Sequence, residues 1–232
     1  MAGKTLTIST PDGSFNAYVA EPAGEPRAAV VAIQEIFGVN ETMRGVCDWL
    51  AEAGYLAVAP DLFWRIEPGV DITDKSEAEW KQAFALMNAF NVDKGIEDIA
   101  ATILALRADP RSKGKVGAVG YCLGGRLAYL TATRTDADAS VGYYGVGIDN
   151  YLAEAEKLVR PLMLHIAEED GFVNKEAQAR IVAALKDHPQ VTLHSYPGCD
   201  HAFARPGGQH YDAAAAEKAN ARTLAFFKKA LS

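Results

Sequence analysis

Three features are scarce in this sequence, and each scarcity excludes a class of protein. Cysteine is rare: Cys47, Cys122 and Cys199 are an odd, widely spaced set with no C-x-x-C pair. That rules out a disulfide framework and a paired zinc-ligand motif, and it leads us to expect reduced thiols in a cytoplasmic setting. Long apolar runs are missing too. The first such stretch, 28–33, is far too short to span a bilayer, and the polar–apolar alternation before it does not read as a signal peptide. Basic charge is also in deficit, with 23 Lys and Arg against 30 Asp and Glu, a formal net charge of −7. A nucleic-acid or anionic-membrane partner draws on clustered cations, so neither is expected, although a small anionic ligand needs only a local positive group. No repeat, low-complexity tract or Pro/Gly-rich linker interrupts the 232 residues, which therefore read as one domain, 1–232, and as a monomer.

What is present is an alternation of strands and helices. Residues 4–10 and 14–20 flank a Pro11-Asp12-Gly13 turn and predict an opening hairpin. Residues 28–33 and 55–59 are continuous apolar runs of the kind a strand needs when both its faces are buried. Asn40 can cap a helix that ends at Gly54. Ile96, Ile99, Ala100, Ile103 and Leu104 keep helical spacing before an Asp109-Pro110 stop. Strand-like segments at 116–121, 141–144, 161–166 and 191–196 alternate with helical ones at 123–133, 175–186 and 212–231, where Leu224, Phe227 and Leu231 share a face. The segment 63–79 is the least regular. Repeated βα units behind a hairpin predict an α/β-hydrolase fold, a mainly parallel twisted sheet with helices on both faces.

The most informative stretch is Gly120-Tyr121-Cys122-Leu123-Gly124-Gly125, between an apolar strand and a helix. This is the G-x-S-x-G nucleophile elbow with sulfur in place of oxygen, a sharp turn that tolerates only small neighbours. It would set Cys122 at a helix N-terminus, where amides and the helix dipole favour an anion. A buried cysteine packing as a small hydrophobe is the bland alternative, and Cys47, among Val46, Trp49 and Leu50, fits that description. A hydrolase of this fold needs an acid and then a histidine on later strand ends. Asp170 and His201 follow the 161–166 and 191–196 strands in that order. The imidazole would take the thiol proton, and Asp170 would fix its tautomer. Against this, Asp170 could instead be a helix cap, with Glu168 and Glu169 competing for its role. His165 and His194 lie inside strands, where satisfied packing is the expectation, while His188 precedes a Pro at a helix end and His210 sits in a Gly-rich loop.

With these residues in view, the chain resembles the dienelactone hydrolase (carboxymethylenebutenolidase) family of cysteine-dependent α/β-hydrolases. The resemblance is carried by Gln34-Glu35-Ile36-Phe37-Gly38, by the elbow with Gly117 to Val119 before it, by Val141-Gly142-Tyr143-Tyr144-Gly145-Val146-Gly147, and by Gly198 through His201-Ala202-Phe203-Ala204-Arg205. It implies a hydrolase that opens a lactone or small ester, anionic in character, with no metal and no organic cofactor. It further implies that Glu35 keeps the resting thiol neutral and later takes its proton. The amides of Ile36 and Leu123 would form the oxyanion hole, Arg205 would bind a substrate carboxylate, and Phe37 would line the pocket. One departure stands out. Where the family carries a second carboxylate-binding arginine, this chain reads Trp80-Lys81, the candidate substrate contacts at that point, which leaves a broad-specificity carboxylesterase as an alternative to a dienelactone-specific enzyme. A single-cysteine thiol sensor and a non-catalytic binding protein on the same fold are the remaining alternatives. The sensor requires an exposed thiol of low pKa, and the binding protein requires a missing triad member.

Overall fold

The computed structural model describes residues 4–232, and these form two compact units that divide between residues 117 and 118. The first opens with the anticipated hairpin: β1 (Lys4–Thr10) pairs antiparallel with β2 (Gly13–Ala20) across the Pro11-Asp12 turn. β2 then pairs antiparallel with β4 (Leu56–Pro60), and β4 runs parallel to β3 (Ala29–Ile33), giving the order β1-β2-β4-β3. Every residue of β3 and β4 is buried, so the two continuous apolar runs are strands covered on both faces. Asn40 caps α1 (Glu41–Glu52) by accepting from the Met43 amide at 3.2 Å, and Gly54 turns the chain at φ +93° after it. Cys47 is fully buried in α1, and burial drives its thiol pKa far up, as core packing requires.

Two further α-helices, α2 (Glu77–Ala89) and α3 (Val92–Ala108), and a short 3-10 helix, Pro110–Ser112, complete the first unit's helices. The inward stripe of α3 is Ile96, Ile99, Ile103 and Leu106, while Leu104 points to solvent. The stripe also holds Asp98, fully buried, whose carboxylate accepts from Arg65 Nη2 and Trp64 Nε1, both at 2.8 Å. An apolar-periodicity count passes over such a residue, because its burial is made possible by partners from a distant loop. That loop lies in the irregular 63–79 segment, which gives way to α2 at Glu77.

In the second unit the order is β5 (Val116–Tyr121), β6 (Ala139–Tyr143), β7 (Leu162–Ala167) and β8 (Val191–Tyr196), with β6–β7 and β7–β8 parallel. Between them run α4 (Leu123–Arg134), a 3-10 helix over Ile148–Lys157 that hydrophobic spacing did not announce, and α5 (Lys175–Leu185). The last helix, α6 (Ala213–Ala230), buries Ala216, Ala219, Thr223 and Phe227. Thr223, rather than Leu224, faces inward because its hydroxyl joins a buried polar network. It lies 2.7 Å from Tyr143 Oη and 3.0 Å from His165 Nε2, while His165 Nδ1 lies 2.8 Å from Tyr196 Oη. His165 is therefore a satisfied core residue, held neutral by burial. Among the described residues no helix is long and apolar enough to cross a membrane.

Candidate active site

Parallel strands place the loops that follow them at one sheet edge, and in the second unit β5, β7 and β8 deliver Cys122, Asp170 and His201 there. Cys122 follows β5 directly and is the N-cap of α4, with φ 57° and ψ −114°, a strained conformation for a non-glycine residue. Its neighbours explain how the strain is held. The Cys122 amide donates to Tyr143 O at 3.1 Å, and its carbonyl accepts from Gly125 N at 3.0 Å and Val146 N at 3.3 Å. A Cβ at Gly120 would land on the Gly124 carbonyl, and one at Gly125 on the Tyr143 carbonyl, so the elbow closes only with glycine at both. These are the small neighbours that the motif demands.

Asp170 is buried, and both its oxygens lie 3.0 Å from His201 Nδ1. Its Oδ1 also accepts from the amides of Phe172 (2.8 Å) and Val173 (3.0 Å), which locks the carboxylate in place. It does not cap α5. That role belongs to Asn174, which accepts from Ala177 N at 2.9 Å. The competitors turn elsewhere: Glu169 is exposed and pairs with Lys175 at 2.9 Å, and Glu168 offers its main-chain carbonyl to Gln178 Nε2. His201 is only 8% exposed, so it is no surface loop histidine. Burial, the largest single effect, disfavours the charged ring. The Cys122 thiolate and the Asp170 carboxylate outweigh it and raise the His201 pKa to about 10, with a hydrogen bond from each contributing.

Three residues around His201 escaped the sequence reading. Tyr144, at φ 38°, sets its ring 5.1 Å from the imidazole, and Phe172, half exposed, sets its ring 4.8 Å away, both edge-on. Asp200 is the third. Its Oδ1 accepts from Gly171 N at 2.9 Å and from His201 N at 2.6 Å, joining the loop of Asp170 to the loop of His201. Burial raises its pKa, but those two amides together with the His210 and His201 rings offset this and hold it below the usual carboxylate range. Its position beside His201 was the only signal in the sequence. Arg205 is buried four residues beyond His201, and Cys199 is buried with its thiol pKa raised by burial.

The remaining expected residues belong to the first unit. Glu35 is 2% exposed, a buried acid and not a solvated one, and Ile36 and Phe37 are buried beside it in sequence. Phe37 packs edge-on against Trp80 (5.1 Å), which in turn stacks on Phe84 (5.5 Å), while Lys81 is exposed. At the Trp80-Lys81 departure the indole is thus packed in an aromatic cluster, and the cation points to solvent. No cluster of His, Cys, Asp or Glu among the described residues is arranged to hold a metal.

Comparison with known proteins gives the arrangement a context. The model of the "Dienelactone hydrolase family" matches residues 15–231. A protein of Azospirillum brasilense named "Putative carboxymethylenebutenolidase" is 53% identical over 224 residues, covering 95% of each chain. A carboxymethylenebutenolidase of Pseudomonas putida is 40% identical over 227 residues, covering 97% of this chain and 96% of its own. A crystal structure titled "Putative Dienelactone Hydrolase from Klebsiella pneumoniae" superposes with a TM-score of 0.86 at 24% identity over 98% of both chains, which shows a shared fold.

Proposed function

Because the chain belongs to the dienelactone hydrolase family, we propose that it hydrolyses a lactone or small carboxylic ester through an acyl-enzyme on Cys122. The observation that carries this reading is the pairing of a strained, helix-capping thiol with a buried histidine held by both oxygens of Asp170. In the first half-reaction the thiolate sulfur attacks the acyl carbon. The oxyanion that develops is met by backbone N–H groups, of which the Leu123 amide, first in α4, is the donor that follows the nucleophile. The tetrahedral adduct collapses with cleavage of the C–O bond, and His201 protonates the departing alkoxide. In a lactone that alcohol stays tethered to the acyl group. In the second half-reaction His201 takes a proton from water, the hydroxide attacks the thioester, and the thiolate leaves. No step calls for a metal or an organic cofactor.

The relatives' name, carboxymethylenebutenolidase, leads us to propose a carboxylate-bearing unsaturated lactone as the substrate class, with Arg205 as a carboxylate contact. The test compares wild type with Cys122→Ala on an aryl acetate and on a dienelactone. Loss of the nucleophile should lower kcat by about 10⁴ or more. Equal rates in the two proteins would sink the proposal.

A further inference from the structure

A second cation sits one helical turn beyond the nucleophile. Arg126, on α4, is half-buried, its Nε is buried without a hydrogen bond, and it makes no ion pair with any carboxylate of the described residues. The two other half-buried arginines of this unit are engaged: Arg134 with Glu154 at 2.6 Å and Arg222 with Tyr196 Oη at 3.1 Å. Desolvating a guanidinium without a counter-charge costs free energy, so its retention calls for an anion that arrives from outside.

The surroundings show where that anion would go. Arg126 Nη1 and Asn150 Nδ2 converge on the space above Gly147, 3.2 and 3.5 Å from the point a Cβ would occupy there. Gly147 has φ +84° and begins the 3-10 helix Ile148–Lys157, whose first amides receive no side-chain cap. Asp149, the nearest acid in sequence, is already engaged by Arg180. The preceding residue, Val146, donates its amide to the Cys122 carbonyl, which ties this loop to the elbow, and the Cys122 side chain acts electrostatically on the Arg126 guanidinium. A side chain on a helix leans toward the N-terminus, so Arg126 reaches back toward the nucleophile rather than away from it.

We propose that Arg126, with Asn150, binds the carboxylate of the substrate as a cation in the catalytic unit additional to Arg205, an assignment that rests on the acyl-hydrolase reading above. A guanidinium presents a planar fork that matches a carboxylate, whereas Lys81 stands exposed on α2. The test has two readouts. In the first, Cys122→Ala protein is titrated with glutarate by calorimetry, with and without Arg126→Met or Arg126→Lys. Arg126→Met should weaken glutarate binding about tenfold, and Arg126→Lys should keep most of the affinity. In the second, wild type and the same Arg126 variants hydrolyse 4-nitrophenyl hydrogen glutarate and its methyl ester. The preference for the anionic ester should fall about tenfold in Arg126→Met. Melting temperatures at or above wild type would show that these losses are not unfolding, since an uncompensated charge has been removed. Equal glutarate affinity in Arg126→Met and its parent, or no glutarate binding to either, would overturn the assignment. Failure of Cys122 to support turnover would instead overturn the hydrolase reading and leave the titration to decide on Arg126.

Discussion

At the scale of single residues, His201 is the most exposed to test. Its pKa is raised to about 10, against burial, by the Cys122 thiolate and the Asp170 carboxylate. Titration of its ring protons by NMR should therefore give an apparent value near that figure. Cys122→Ala removes one of the two charges and should bring the value down. An unchanged titration in the variant would show that Asp170 alone sets it. Asp200 makes a separate prediction. It touches no reacting atom in the proposed chemistry, yet it holds the Gly171 and His201 amides together. Asp200→Ala should lower kcat by roughly 10- to 100-fold through misplacement of the imidazole while KM changes little. Asp200→Asn, which keeps an acceptor in place, should recover most of the loss. A fall confined to KM would point away from a positioning role.

Among the elements, the turn from β5 into α4 has the least room for change. Gly120→Ala would drive a methyl group into the Gly124 backbone carbonyl. We expect a loss of about 3 kcal/mol or more, a melting temperature lower by roughly 6–12 °C. Thr223→Val in α6 tests the network beneath the sheet edge, because it strips partners from Tyr143 Oη and His165 Nε2 at once. About 1–3 kcal/mol should be lost there, read from denaturant midpoints at unchanged m. These two elements also mark what the sequence disclosed and what it hid. The elbow was legible because the constraint is local: small residues at fixed offsets around one cysteine. The order acid-then-histidine was legible because parallel strands bring successive loops to the same edge. Thr223, Asp98 and Asp200 were not, since each is defined by a partner at least 29 residues away in the chain, as His165, Arg65 and Gly171 show. Leu104 misled for the mirror-image reason. It has the chemistry of a core residue and the helical phase of a surface one, and it is 70% exposed.

On the scale of the whole molecule, two histidines pull stability in opposite directions with pH. His201 has its folded pKa raised, so its contribution is fully present below about pH 6.5 and is lost as pH climbs toward 10. His165 has its folded pKa depressed, so the unfolded chain binds its proton more readily, and stability falls as pH drops below about 6.5. Carboxylates held below their usual range, Asp109, Glu154 and Asp200 among them, add to the acid-side loss further down. Melting temperature against pH should peak near neutrality, and Cys122→Ala should flatten the alkaline limb. A maximum at pH 9 or above would contradict the assignment for His201. The carboxylate of Asp200 has one more consequence, for how such molecules diversify. A single side chain clasps the segment after β7 to the segment after β8, so an insertion in either would tear the clasp unless the other changed with it. Variation in the two segments should therefore be inherited in pairs, and loop grafts into this scaffold should succeed when both are exchanged together and fail when one is moved alone.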